Sequence, residues 1–502
     1  MDFAHQISIR RYITSILAFT FLITTTVIAQ ETEIPISTDN TEAQTQFQQA
    51  KHAWEMGRDE DARQHINMAI KADSNFSMAY YLKATMASNP ADWRLNIDRA
   101  MELMDDITPG ERLLIEIEHT YLNNDLNRRM KLSKELLESH PESVWAKMKV
   151  AEVYADEKQY NKQRDYYYQA MQQDPTYSAT YKKLAESYQL NTPKDLDLAE
   201  HYMSKFVEME PKEVYAHISL GDVYRAQNNL EKARDTYSEA INLDRDEAMA
   251  YGKRAHALSF LGNYQEARSD YNEAIKRATG SDQVLHETFV ANTYIYAGDL
   301  DAAQNYLQDL ISNIDEYEMS DDERKVASMN AHQSLFHVAI TNNDFSVARS
   351  TLDKLNTVMT SLYNDIGTSV ALRDDQANRA IREGLLALRQ GYVERAMQNA
   401  RENYNLMNDD PSVKSLYPYH HLMGRIQLQQ NNPEDALSYL EMSDTEWVMV
   451  KYDIAMSYDA MGNSEIASKY YKEVAEWNFN NTEYALVRNN AINKFKTMAL
   501  AY

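Results

Sequence analysis

Apolar residues recur at intervals of three and four along most of this chain, the spacing that gathers them on one face of an α-helix. The last stretch shows it plainly, with Tyr484, Val487, Ala491, Phe495 and Met498 in that rhythm. A longer period is laid over the short one. Ala199, Ala233 and Ala267 stand 34 residues apart, each inside a similar frame. In the middle frame Leu220, Gly221 and Tyr224 precede the alanine, and Tyr237, Ala240 and Ile241 follow it. In the next frame Ala255, Leu258, Gly262 and Tyr264 precede, and Tyr271, Ala274 and Ile275 follow. The pattern predicts pairs of helices, each pair packing only on its neighbours.

Each slot in the frame has a physical reason. A small eighth residue (Gly221, Ala255, Gly384, Gly424) lets the first helix press on the second. A glycine at the fifteenth (Gly57, Gly262, Gly298, Gly391, Gly462) ends that helix in a left-handed turn. An alanine at the twentieth marks where the two helices cross: Ala62, Ala199, Ala233, Ala267, Ala303, Ala348, Ala396, Ala436 and Ala467. Aromatics fill the seam, as at Tyr154, Tyr188, Tyr224, Tyr294 and Tyr458, then at Tyr167, Tyr237, Tyr271 and Tyr471. Eight of the 12 glycines fall in just two of these slots, which makes the frame hard to assign to chance. A 34-residue period with this pattern resembles the tetratricopeptide repeat family. The resemblance implies an all-α, right-handed superhelical solenoid whose first helices line the concave side. It also implies a protein-binding role.

The frame covers residues 42–315 as an N-terminal array and 411–502 as C-terminal repeats closed by a capping helix. Between them, 316–410 is stretched: Ala303, Ala348 and Ala396 are 45 and 48 apart, which predicts longer helices or an extra turn. Residues 76–140 hold the period but lose the signature, with Trp93 and Arg129 near the alanine slot. Eleven or twelve helix pairs are expected.

The beginning of the chain differs. Arg10 and Arg11 precede an uncharged run from Tyr12 to Ala29, ending in Val27-Ile28-Ala29, which reads as a signal peptide over 1–29 cleaved near Ala29/Gln30. A short polar linker, 30–41, follows. Export to the periplasm or beyond is the expectation. An uncleaved segment anchoring a sensory ectodomain is the alternative, since the run nears the lower limit of a span. No cysteine occurs, which excludes disulfides, thiolate metal sites, a cysteine nucleophile and a lipidated N-terminal cysteine. The net charge of −25 disfavours nucleic acid as a partner.

Catalytic chemistry finds little support. His286-Glu287 lacks the second histidine of a helical zinc site, since Val290 stands four residues on. His332 and His337, and the adjacent His420 and His421, diverge on their helices. No phosphate loop and no serine elbow occurs. The chain is expected to be no enzyme and to need no cofactor or metal.

A binding face is nameable from the frame. By the family resemblance, concave positions fall on Trp145, Met148, Glu152, Lys182, Glu186, Gln189, Tyr215, Ile218, Asp222, Arg225, His256, Phe260, Asn292 and Tyr296. Mixed aromatics and single charges suit a protein or peptide partner. Some relatives clamp a peptide carboxylate there, and Lys182 matches one clamp position, but Glu186 replaces the asparagine needed. The expected function is a non-enzymatic scaffold of the bacterial envelope; a glycan-binding uptake component is the alternative, with Trp54, Trp93, Trp145, Trp447 and Trp477 as available platforms.

Overall fold

The computed structural model describes residues 33–500 except 88 and 413. The expected signal peptide lies outside the described residues. Within them the chain is all-α, an array of 25 α-helices.

The first six pairs are α1 (Thr41–Met56) with α2 (Asp59–Ala72), α3 (Ser77–Thr85) with α4 (Pro90–Glu102), α5 (Pro109–His119) with α6 (Leu126–Ser139), α7 (Val144–Asp156) with α8 (Tyr160–Gln173), α9 (Ser178–Leu190) with α10 (Leu196–Met209), and α11 (Val214–Ala226) with α12 (Leu230–Leu243). Three more are α13 (Ala248–Phe260) with α14 (Tyr264–Arg277), α15 (Ser281–Tyr296) with α16 (Leu300–Ser312), and α17 (Asp321–Thr341) with α18 (Phe345–Ile366). The last are α19 (Ser369–Arg389) with α20 (Val393–Met407), α21 (Tyr417–Gln429) with α22 (Pro433–Leu440), and α23 (Val448–Ala460) with α24 (Ser464–Ala475). A single helix, α25 (Thr482–Ala499), ends the array.

The nine alanines of the crossing slot are all fully buried. At Gly221 a Cβ would stand 2.5 Å from the Tyr237 ring, so the small residue and the large aromatic are two halves of one contact. The left-handed turn closing each first helix is wider than its glycines suggest. Lys158, Asn228, Asn343 and Asn431 adopt φ of 56°, 59°, 59° and 60° at the same point of their hairpins. Three of these are asparagine, the residue that tolerates this conformation best after glycine.

The stretched region is built from longer helices: α17, α18 and α19 have 21, 22 and 21 residues. Their extra turns reach across the superhelix. Arg94 Nη1 on α4 donates to the Ile366 carbonyl at 2.8 Å, and the Thr368 hydroxyl donates to the Leu122 carbonyl at 3.3 Å.

Residues 33–40, expected as part of a polar linker, are instead docked on the array. Ile34 is buried, and the Glu33 carboxylate accepts from the Ser143 hydroxyl and the Val144 N–H, each at 2.8 Å, at the start of α7. A carboxylate there meets unpaired helix N–H groups, which holds the segment in place. Arg129, near the alanine slot of the atypical second helix α6, is also buried. It lies 3.4 Å from the Tyr121 ring centre and pairs with Asp156 at 3.0 Å.

Candidate binding groove

The first helices α1, α3, α5, α7 and α9 face a groove of about 630 Å3. Helix α7 presents Trp145, Met148, Lys149 and Glu152 to it, at the three-and-four spacing of one helical face. Opposite stand Trp54 of α1, Tyr81 of α3 and Glu118 of α5, with Trp93 of α4 and Tyr121 at the rim. Three of the chain's five tryptophans thus converge on one hollow. The Tyr81 and Trp145 rings are 6.3 Å apart, and the Lys51 ammonium lies 5.2 Å from the Trp145 ring centre.

The groove is closed on one side by the chain meeting itself. Lys51 and the Tyr177 hydroxyl share Glu55; Lys182 Nζ donates to the Glu55 carbonyl at 3.0 Å; Arg58 pairs with Glu213 at 3.3 Å. The first helix pair therefore touches the fifth and sixth. Gly57, at φ 97°, presents its bare Cα to the Tyr215 ring.

Charges in the groove are paired unevenly. Lys149 and Glu152 are 2.6 Å apart, and Lys183 and Glu186 are 3.0 Å apart. Burial works against the Lys149 ammonium, but Glu152, Tyr81 and Glu118 outweigh it and raise its pKa. Burial raises Glu118, whose oxygen accepts from the Trp93 indole N–H at 3.2 Å, and pushes Tyr81 up to about 12. Burial lowers Lys182, which donates to a neutral carbonyl. The surface is one of rings with nearly balanced donors and acceptors, suited to holding a ligand.

The sequence-derived concave residues divide into two groups. Trp145, Glu152 and Lys182 line the open groove, with Glu186 beside it on Lys183. Tyr215 stands at the border, its hydroxyl donating to Glu247 at 2.5 Å. Asp222, Arg225, His256, Phe260, Asn292 and Tyr296 lie on the next part of the same face, which the chain itself fills. The segment from Trp477 to Asn481, with α25 behind it, runs over α11, α13 and α15. Arg225 donates to the Asn478 carbonyl, and its guanidinium lies 4.6 Å from the Phe479 ring centre. Asn292 Nδ2 and the Tyr296 hydroxyl donate to Asn480 Oδ1 at 3.1 and 2.8 Å; Asn480 Nδ2 donates to the Tyr271 hydroxyl at 2.9 Å. Arg488 Nη2 reaches the Phe260 carbonyl at 3.3 Å. Beneath them, Tyr237 donates to Asp222 at 2.6 Å, and Lys253 pairs with it at 2.8 Å. Burial raises the Asp222 pKa, yet Lys253 and Arg225 more than reverse that and hold it far below the usual carboxylate range. His256, wedged against Phe289 and Tyr271, is kept neutral by burial and by Lys253 and Arg225.

Helix α25 does pack on α24 as a cap, but it also crosses to α15 and α17. The apolar face of this helix predicted the cap; the crossing to α15 and α17 was not expected.

Among the groove residues absent from the sequence-derived set, Trp54 had a signal: it stands twelfth in the frame that puts Gly57 fifteenth and Ala62 twentieth, the slot that Gln189 and Arg225 hold in theirs. Trp93 had none, because it lies on a second helix, and Tyr121 sits in a 3-10 turn at Thr120–Asn123. Among the described residues no cluster of three or more potential metal ligands occurs; His332 Nδ1 bonds the Ser328 carbonyl at 2.7 Å, and His337 lies 3.6 Å from Glu483. Among the described residues, no helix is long and apolar enough to cross a membrane.

Comparison with known proteins agrees with the repeat reading. A family model described as TPR repeat matches residues 221–259, and one described as Tetratricopeptide repeat matches 248–279 and 450–481. Those spans fall on α11–α13, α13–α14 and α23–α24. The mitochondrial import receptor subunit TOM70 of Homo sapiens and that of Mus musculus are each 26% identical over 125 residues, 25% of this chain and 20% of theirs. The match spans about a fifth of those relatives' length. Among solved structures, the APC/C hetero-tetramer Cut9-Hcn1 aligns over 90% of this chain and 82% of that chain, at 16% identity and a TM-score of 0.36. A tetratricopeptide repeat protein from Parabacteroides merdae covers 52% of this chain and 92% of its own, at 17% identity and a TM-score of 0.32.

Proposed function

We propose that this chain, whose repeats match the tetratricopeptide models, is a protein-interaction scaffold that holds a segment of a partner protein in the groove between α1 and α9. One observation carries the reading: this part of the concave face stays open and gathers Trp54, Trp93 and Trp145, whereas the part over α11–α15 is occupied by the chain's own segment. Tryptophan is a favoured interface anchor, and half-buried rings beside paired charges give both contact area and orientation. The basic-then-apolar run before Gln30 supports export, so the setting proposed is the bacterial envelope, with the chain released or retained according to whether that run is cleaved.

The test is capture from envelope extract with the full chain and with Trp145→Ala and Lys182→Ala together. A protein recovered by the unaltered chain, cross-linked to α7 or α9, and at least about tenfold depleted with the folded double variant, would support the groove. Equal recovery with both would move the site elsewhere. N-terminal sequencing of the native protein, starting at Met1 or near Gln30, checks the export reading.

A further inference from the structure

The two remaining tryptophans also share a hollow. Trp447 and Trp477, with Tyr160, line a cavity of about 450 Å3 on a different part of the molecule. It is built where non-adjacent connections converge: the α7–α8 turn, the α9–α10 connection, the α22–α23 connection and the segment before α25. Loops carried on a rigid scaffold are where recognition residues concentrate.

The apolar lining here is partly uncovered. Trp447 and Leu190 are each 47% exposed, a large apolar area to leave in water at one spot. Backbone bonds fix Trp447 at the start of α23: its N–H donates to the Asp444 carbonyl at 2.9 Å, and its carbonyl accepts from the Lys451 N–H at 3.0 Å. Trp477 is wedged against Phe479 and Tyr484, with ring centres 5.0 and 5.2 Å away. The Trp477 ring is thus held by the chain itself, and the Trp447 indole projects from a fixed backbone. The polar lining adds Lys158, Lys414, Asp444 and Glu446, with Thr192 and Asn481 able both to donate and to accept. Lys158 and Asp444 are paired at 3.2 Å, and the second lysine of the lining, Lys414, is matched in number by Glu446, which leaves no excess of positive charge for a phosphate.

We infer that this cavity binds a neutral saccharide. A sugar ring offers an apolar C–H face that lies flat on an indole, and hydroxyls that each donate and accept. Indole walls combined with hydroxyl, amide and carboxylate groups meet both demands at once. The site is separate from the α1–α9 groove, so the inference does not depend on what that groove holds.

A glycan array probed with the labelled full chain, followed by calorimetry on any saccharide retained, tests this. Trp447→Ala should weaken binding at least about tenfold, while Trp54→Ala in the other groove leaves it unchanged. Because Trp447 is half exposed, that variant should melt with the unaltered chain, which separates lost binding from lost folding. Three results would overturn the inference: no saccharide retained, retention indifferent to Trp447→Ala, or loss caused by Trp54→Ala instead.

Discussion

The concave face over α1–α9 and the concave face over α11–α15 are made by the same repeat and diverge in fate. Over α11–α15, Arg225, Asn292 and Tyr296 point at Asn478 and Asn480 of the same chain, so polar groups that would otherwise need water or a partner are satisfied internally. Over α1–α9 no segment of the described residues intervenes, and Trp54, Trp93 and Trp145 surround a hollow. Concave position in a repeat therefore does not define a binding residue. In one half it marks a contact that holds the array closed; in the other it mostly lines an open hollow.

That contrast can be broken where the filled face is most tightly paired. Arg225→Ala removes a fully buried guanidinium with its bonds to the Asn478 carbonyl and to Asp222, which keeps Lys253 and Tyr237; a loss of about 3–5 kcal/mol in denaturant unfolding is expected. Acid should loosen the same half next. Burial lowers His286 to about 4, so the folded state resists its protonation while the unfolded chain accepts it near 6.5. The stability from keeping it neutral is present above about pH 6.5 and falls away as pH drops towards 4, by about 3 kcal/mol, and His286→Leu should flatten that part of the melting profile. The smallest effect sharpens the comparison. Asn480→Ala should cost about 1–3 kcal/mol, whereas Lys182→Ala in the open groove should change unfolding by less than about 1 kcal/mol. Equal losses from the two would mean that the open groove is as structural as the filled one.

Much of the fold was legible because its signals are local. A buried alanine where two helices cross, a glycine pressed on Tyr237 and a left-handed turn each depend on residues within one hairpin. The glycine rule still missed Asn228, Asn343 and Asn431, since asparagine reaches the same backbone at modest cost. The longer helices at 316–410 were expected from the spacing, but not that their extra turn would meet Arg94. The candidate groove was half legible. Trp145, Glu152 and Lys182 follow from their places in the frame, and Trp54 could have, while Trp93 and Tyr121 enter from outside the first helices.

By itself the sequence determined the helix pairs, their order, the crossing residues and the 34-residue period, because each is a contact between near neighbours along the chain. Tertiary structure alone decided which concave residues are free. Arg225 meets Asn478 across 253 positions, and Arg94 meets Ile366 across 272. No periodic pattern records such a contact, since it arises when small rotations between successive pairs accumulate and bring remote parts of the superhelix together.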